Sequence, residues 1–101
     1  MATLLQFDFP FDGPFGTEMA QALEGLARSI AEEPGLLWKI WTENATERVA
    51  GGLYLFETPE TAAAYAKKHS ERLAGFGITG IRAKTFDVNA DLSRLTRAPG
   101  F

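Results

Sequence analysis

The sequence predicts an α+β domain with the ferredoxin-like order β-α-β-β-α-β, and three observations carry that prediction. Four stretches, at 3–11, 36–43, 49–57 and 78–88, have the apolar alternation and the length of strands. Two stretches of helical periodicity lie between the first and second of these and between the third and fourth. Only the short polar segment ENATER separates the middle two, so they read as an antiparallel hairpin. With right-handed crossovers, this order gives a four-stranded antiparallel sheet. The first and third strands lie at its centre, and two helices cover one face.

Each element follows from its residues. In the first strand Leu5, Phe7, Phe9 and Phe11 fall on one side and Leu4, Gln6 and Asp8 on the other. FDGPFG, with two glycines and a proline, is a turn. Thr17 can cap a helix with Glu18 in its first turn and an apolar stripe of Met19, Leu23, Leu26, Ala27 and Ile30. Pro34 and Gly35 end that helix. Thr58-Pro59-Glu60 starts the second helix with a cap residue, a proline and an acid. There Ala62, Ala66, His69 and Leu73 share one face, while Lys67, Lys68, Glu71 and Arg72 mostly share the other. Gly75 and Gly77 stop it. Residues 1–101 thus read as a single domain, with 89–101 as a C-terminal tail that could pack on a partner subunit and form a helical turn after Asp91.

Composition narrows the function. The net charge of −3 comes from ten basic and thirteen acidic residues spread along the chain, with no basic patch to suit nucleic acid. The absence of cysteine excludes disulfides, thiolate metal sites and cysteine nucleophiles. No charged leader and no apolar run of about 18 residues is present, so neither export nor a membrane is expected, and the cytoplasm is the default location. One histidine and no clustered carboxylates give no spacing that suits a metal.

The hairpin raises the question of what covers the sheet. Period-two alternation puts Trp38 and Ile40 on one face and Leu37 and Trp41 on the other; in the third strand Tyr54 and Phe56 oppose Leu53 and Leu55. Both faces are apolar, yet the helices cover only one. Burying each large side chain is worth about 1.5–3 kcal/mol. A homodimer closed by sheet-on-sheet packing is therefore expected, because a thirteen-residue tail is too short to cover four strands. Gly51-Gly52 marks a bulge, room for Trp38 or Trp41, or a pocket floor without side chains.

The segments MATLLQFDFPFDGPFG, EEPGLLWKIWTE, AGGLYLF and AKTFDVN resemble the YdhR-type mono-oxygenases of the dimeric α/β-barrel superfamily, over nearly the whole chain. The resemblance implies a ferredoxin-like protomer, a homodimer and a cavity between sheet and helices. Superfamily relatives include quinone-forming oxygenases that use no metal or cofactor, haem-degrading enzymes and isomerases. The leading expectation is a cofactor-free mono-oxygenase acting on a small aromatic or quinol-like compound. The alternatives are a non-catalytic dimeric module that holds a small apolar ligand, and a haem-binding protein.

His69 is the candidate base, since an imidazole titrates near neutrality and a deprotonated phenol gives electrons to dioxygen more readily. Trp38 and Tyr54 are the expected walls, joined by Phe7, Phe9, Phe56, Tyr65, Gly51 and Gly52 as substrate-binding residues. Gln6 and Asp8 could orient a ligand or bond across the dimer. Lys39, Arg82 and Lys84 read as solvated residues of edge strands.

Overall fold

The computed structural model describes residues 2–101; Met1, the first residue of the expected 1–101 domain, lies outside them. Strand β1 (Thr3–Pro10) keeps the expected alternation, with Leu5, Phe7 and Phe9 buried and Gln6 and Pro10 exposed. It lies beside β3 (Val49–Phe56) at the sheet centre. β2 (Leu36–Asn44) flanks β3 and β4 (Arg82–Asp87) flanks β1, so the order is β2-β3-β1-β4 with every pair antiparallel. This is the ferredoxin-like α+β sheet that the strand pattern predicts.

The first helical stretch is two helices rather than one, α1 (Gly16–Ala22) and α2 (Glu24–Ala31), joined at Leu23 with φ −103° and ψ 10°. Gly25 weakens helix propensity just after the joint. Thr17 does not cap the helix: the N-cap is Phe15, which offers no side-chain acceptor. The Gly16 N–H instead donates to Glu43 Oε1 of β2 at 2.9 Å, which supplies one orphan donor with a partner and ties α1 to the sheet edge. Helix α3 (Pro59–Gly75) starts where the sequence indicates. Thr58 and Thr61 form a capping box, and Ala62, Tyr65, His69 and Leu73 are buried at three- and four-residue spacing.

β4 is shorter than the predicted 78–88. Gly77 and Gly80 adopt positive φ, which keeps the preceding segment in a turn, and Ile78 and Ile81 pack on the edge of the core. The tail forms α4 (Ala90–Leu95), with the Asn89 side chain accepting from the Leu92 N–H at 3.1 Å.

A bulge in β2 decides which residues face the helices. Leu36 pairs with Phe56 but Trp38 pairs with Leu55, so Leu37 is an extra residue. Directly opposed residues share a face. Trp38 and Ile40 therefore lie with Leu55 and Leu53 on the face away from the helices, while Lys39 and Trp41 lie with Tyr54 and Gly52 beneath them. The tail covers more of the far face than its length suggests. Trp38 Nε1 donates to the Pro99 carbonyl at 3.4 Å, Gly100 lies against Leu55, and Leu55 is only 1% exposed. Ile40, Phe86, Leu92 and Leu95 remain exposed.

Candidate active site

Helix α3 packs closely on β1, β3 and β4, whereas α1 and α2 make few close backbone contacts with the sheet. The space they leave is a cavity of about 200 Å³. Phe9, Trp41, Gly51 and Tyr54 line it from the sheet, Met19, Leu23 and Leu26 from α1 and α2, and His69 and Leu73 from α3. A groove along α1, α2 and β2 shares Met19, Leu23 and Trp41 with this cavity and is lined also by Glu24 and Glu43.

Lys39 and His69 are the basic side chains of the wall, which also holds Thr42 and the Tyr54 phenol. Lys39 is not a solvated edge residue: the bulge turns its side chain under the helices, where it is half-buried. Its Nζ sits 3.2 Å from the centroid of the Trp41 ring and 4.6 Å from that of Tyr54. Gly52 makes this possible, because a Cβ there would lie 2.6 Å from Lys39 Cε. Burial, with the Arg72 charge adding to it, lowers the Lys39 pKa to about 7. The negative faces of the two rings act in the other direction and favour the ammonium form. No ion pair among the described residues includes Lys39.

A buried amine without an anion is a stability cost. Lys39→Met, with a similar unbranched stem, is expected to raise unfolding stability by about 1–2 kcal/mol at neutral pH. Urea denaturation checks this; a lower midpoint would mean that the ring contacts outweigh the desolvation.

His69 is 3% exposed. Tyr65 stacks on its ring at 5.1 Å, and the Phe7 ring meets it edge-on at 5.1 Å. The Arg72 guanidinium approaches Nδ1 with Nη2 at 3.0 Å and Nε at 3.3 Å. Arginine only donates, so Nδ1 accepts and the ring proton resides on Nε2. Burial, then the charges of Lys39 and Arg72, lower the His69 pKa to about 3, which keeps the ring neutral near pH 7. As arranged, neither ring nitrogen offers a free lone pair. That removes His69 from the role of base, and the same geometry does not fit axial ligation of a haem iron. What His69 retains is an Nε2–H donor.

Arg72 belongs to this cluster and not to the outer face of α3. Its long stem lets it reach back over one turn to His69, and its Nη2 lies 3.5 Å from the Tyr65 hydroxyl. The Tyr65 hydroxyl in turn lies 3.5 Å from that of Tyr54, at the outer limit of a hydrogen bond. Burial raises the pKa of both phenols, that of Tyr54 far above the ordinary range.

Of the residues expected to form the site, His69, Tyr54, Phe9 and Gly51 meet at the cavity. Phe7, Phe56 and Tyr65 do not line it. They form an aromatic layer behind it, in which Phe56 lies 5.4 Å from Tyr65 and Phe7 5.8 Å from Tyr54. Gly52 lies beneath the Lys39 stem instead of forming a floor. Trp38 is on the opposite face and cannot share a wall with Tyr54, because the two belong to different parities of the sheet. Asp8 is held by Arg82 at 2.7 Å, and Gln6 is exposed on that same far face. Sequence reading missed Lys39 and Arg72. The i, i+3 spacing of His69 and Arg72 was an available signal; nothing local marked Lys39. Among the described residues no three His, Asp or Glu side chains gather in a way that could hold a metal ion, and no helix is long and apolar enough to cross a membrane.

Comparison with solved structures finds the same fold in a protein described as a putative antibiotic biosynthesis monooxygenase from Deinococcus radiodurans. The similarity has a TM-score of 0.55 at 13% identity and covers 88% of this chain and 93% of that one. No curated protein matches the sequence. Residues 4–99 match the family described as putative mono-oxygenase ydhR, and that span, nearly the entire chain, makes the protein a member of it.

Proposed function

We propose that this protein is a mono-oxygenase that takes a small phenolic or quinol-like compound into the cavity beneath α1 and α2 and oxidises it with dioxygen, without a metal or organic cofactor. One observation supports this above the others: the cavity is mostly apolar and walled by rings, with few polar residues, among them Lys39 and His69, in its wall. A dry apolar cavity of about 150 Å³ holds a benzene-sized molecule, so a volume of about 200 Å³ suits one substituted ring. A phenol with a free para position can supply all four electrons that dioxygen needs. One oxygen atom enters the ring at that carbon, two hydrogens leave the substrate, and the products are a quinone and water. His69 Nε2–H is suited to donate a hydrogen bond to the substrate oxygen as negative charge grows there.

The working unit in this reading is a homodimer that buries the far sheet face. Ile40 and Phe86 on that face, and Leu92 and Leu95 of α4, are among the large apolar side chains exposed in the protomer. Sedimentation equilibrium at micromolar concentration is expected to give twice the protomer mass. A protomer mass would remove the dimer but leave the cavity.

The activity is tested by following oxygen uptake with a panel of phenols and hydroquinones and identifying the products. His69→Phe, which keeps a flat ring but no donor, is expected to lower kcat by roughly 100-fold. Wild-type turnover by this variant would end the donor assignment. Tight binding of the panel with no oxygen uptake would leave a ligand-binding module.

A further inference from the structure

We propose that the cavity selects an ionisable phenol or enol, and that Lys39 is the group that accepts its proton and remains beside the resulting oxyanion. The inference rests on the reading of the cavity as an aromatic-ligand site and adds to it the charge state of the ligand and the residue that sets it. In the step, the Nζ lone pair forms an N–H bond as the ligand O–H bond breaks. A neutral amine and a neutral phenol become an ammonium and a phenolate, and no electrons leave the pair.

Elimination among the groups around the cavity points to Lys39. From α3, His69 has its Nδ1 lone pair engaged by Arg72, and Arg72 itself does not lose its proton. Tyr54 from β3 and Tyr65 from α3 are held protonated by burial. α1 and α2 contribute only apolar groups to the cavity; the carboxylates of Glu24 and Glu43 line the adjoining groove instead. Lys39 is thus the one wall group that exchanges a proton near neutrality, as its lowered pKa agrees.

The geometry also speaks for a negatively charged guest. The Lys39 stem runs over Gly52, where a Cβ would lie 2.6 Å from its Cε, and the β2–β3 pairing sets Lys39 beside Tyr54 on the helix-facing side. It has no carboxylate partner among the described residues. Arg72 lies behind His69 and adds a second positive charge with no ion-pair partner among them. The Arg72 cation behind the wall, and the ammonium that Lys39 becomes on taking the proton, have no internal anion to pair with, which favours a ligand that carries the negative charge itself.

The probe for the test is 4-nitrophenol, whose anion absorbs visible light and whose neutral form does not. Its methyl ether, 4-nitroanisole, cannot ionise. At a pH where free 4-nitrophenol is mostly neutral, the wild-type protein is expected to bind it with the colour of the anion. Lys39→Met is expected to bind it about tenfold more weakly and without that colour. 4-Nitroanisole is expected to bind both proteins alike. Lys39→Arg, a permanent cation, is expected to keep the anion colour, with an affinity that rises with pH as the free probe ionises and then levels off, whereas wild-type affinity is expected to fall again above about pH 7, where Lys39 loses its proton. Binding of the neutral phenol by the wild type, retention of the anion colour in Lys39→Met, or no binding of the probe by the wild type would each overturn the proposal. Should Lys39→Met fail to fold, Lys39→Arg and the wild-type pH dependence decide. The readout is binding and ionisation, so it can succeed where oxygen uptake fails. Conversely, oxygenation by a protein that binds only neutral phenols would sink this inference alone.

Discussion

Acidification from about pH 7 to about pH 4 is expected to cost the protein about 3 kcal/mol of stability through His69 alone. The imidazole has a pKa of 6.5 in its ordinary state and about 3 in the fold, because burial and the charges of Lys39 and Arg72 disfavour its cation. Below about pH 6.5 the unfolded chain therefore takes up a proton that the folded one refuses. Stability rises with pH through this window and falls as pH drops from about 6.5 toward about 3, below which both states are protonated. The ion pairs of the surface, such as Arg28 with Glu24, are exposed and contribute little to the same range. A loss of about 3 kcal/mol is large beside a total of roughly 5–15 kcal/mol for a domain of this kind. His69→Gln keeps an acceptor for Arg72 and does not titrate. Urea midpoints of the two proteins at neutral and acid pH check the claim, and an equal acid loss in His69→Gln would show that the imidazole is not its source.

Gly51→Ala is expected to destabilise the fold by about 3 kcal/mol or more, since adding atoms to a packed interior costs about 1–3 kcal/mol even where side chains can yield. Here the obstacle is backbone. A Cβ on Gly51 would collide with the Phe7 carbonyl oxygen and come within 2.9 Å of the Asp8 Cα. Both belong to β1, the other central strand, which cannot move without disturbing its pairing with β4. The reduced entropy of the unfolded chain returns only about 0.4–1 kcal/mol. For a domain of this size the melting temperature should fall by roughly 10–20 °C. Gly75→Ala is the control. It lies in α3 with nothing within 4 Å of its added Cβ, so it should be neutral or slightly stabilising. Thermal unfolding followed by circular dichroism compares the two; equal melting temperatures would mean that β1 yields without cost.

Much of this architecture could be read from local pattern. The alternation in β1 placed Leu5, Phe7 and Phe9 inward, and the Thr58-Pro59-Glu60 signal located the start of α3. Helical spacing placed His69 on the inner face of α3, where it is found. Its role was not legible, because that role depends on which nitrogen Arg72 engages, a matter of side-chain reach. The division of α1 from α2 at Leu23 was also hidden, since the apolar stripe runs through it unbroken.

The sequence by itself determined the order of the elements and the inner faces of β1 and α3, which follow from periodicity within each segment, and the central place of β1 and β3, which follows from that order with right-handed crossovers. Only the tertiary structure decided which side of β2 meets the helices. A strand has two faces related by a single residue step, and its own alternation is the same whichever face is turned inward. The choice is made by pairing with β3, where the extra residue Leu37 places Lys39 rather than Trp38 under the helices and Gly52 gives it room.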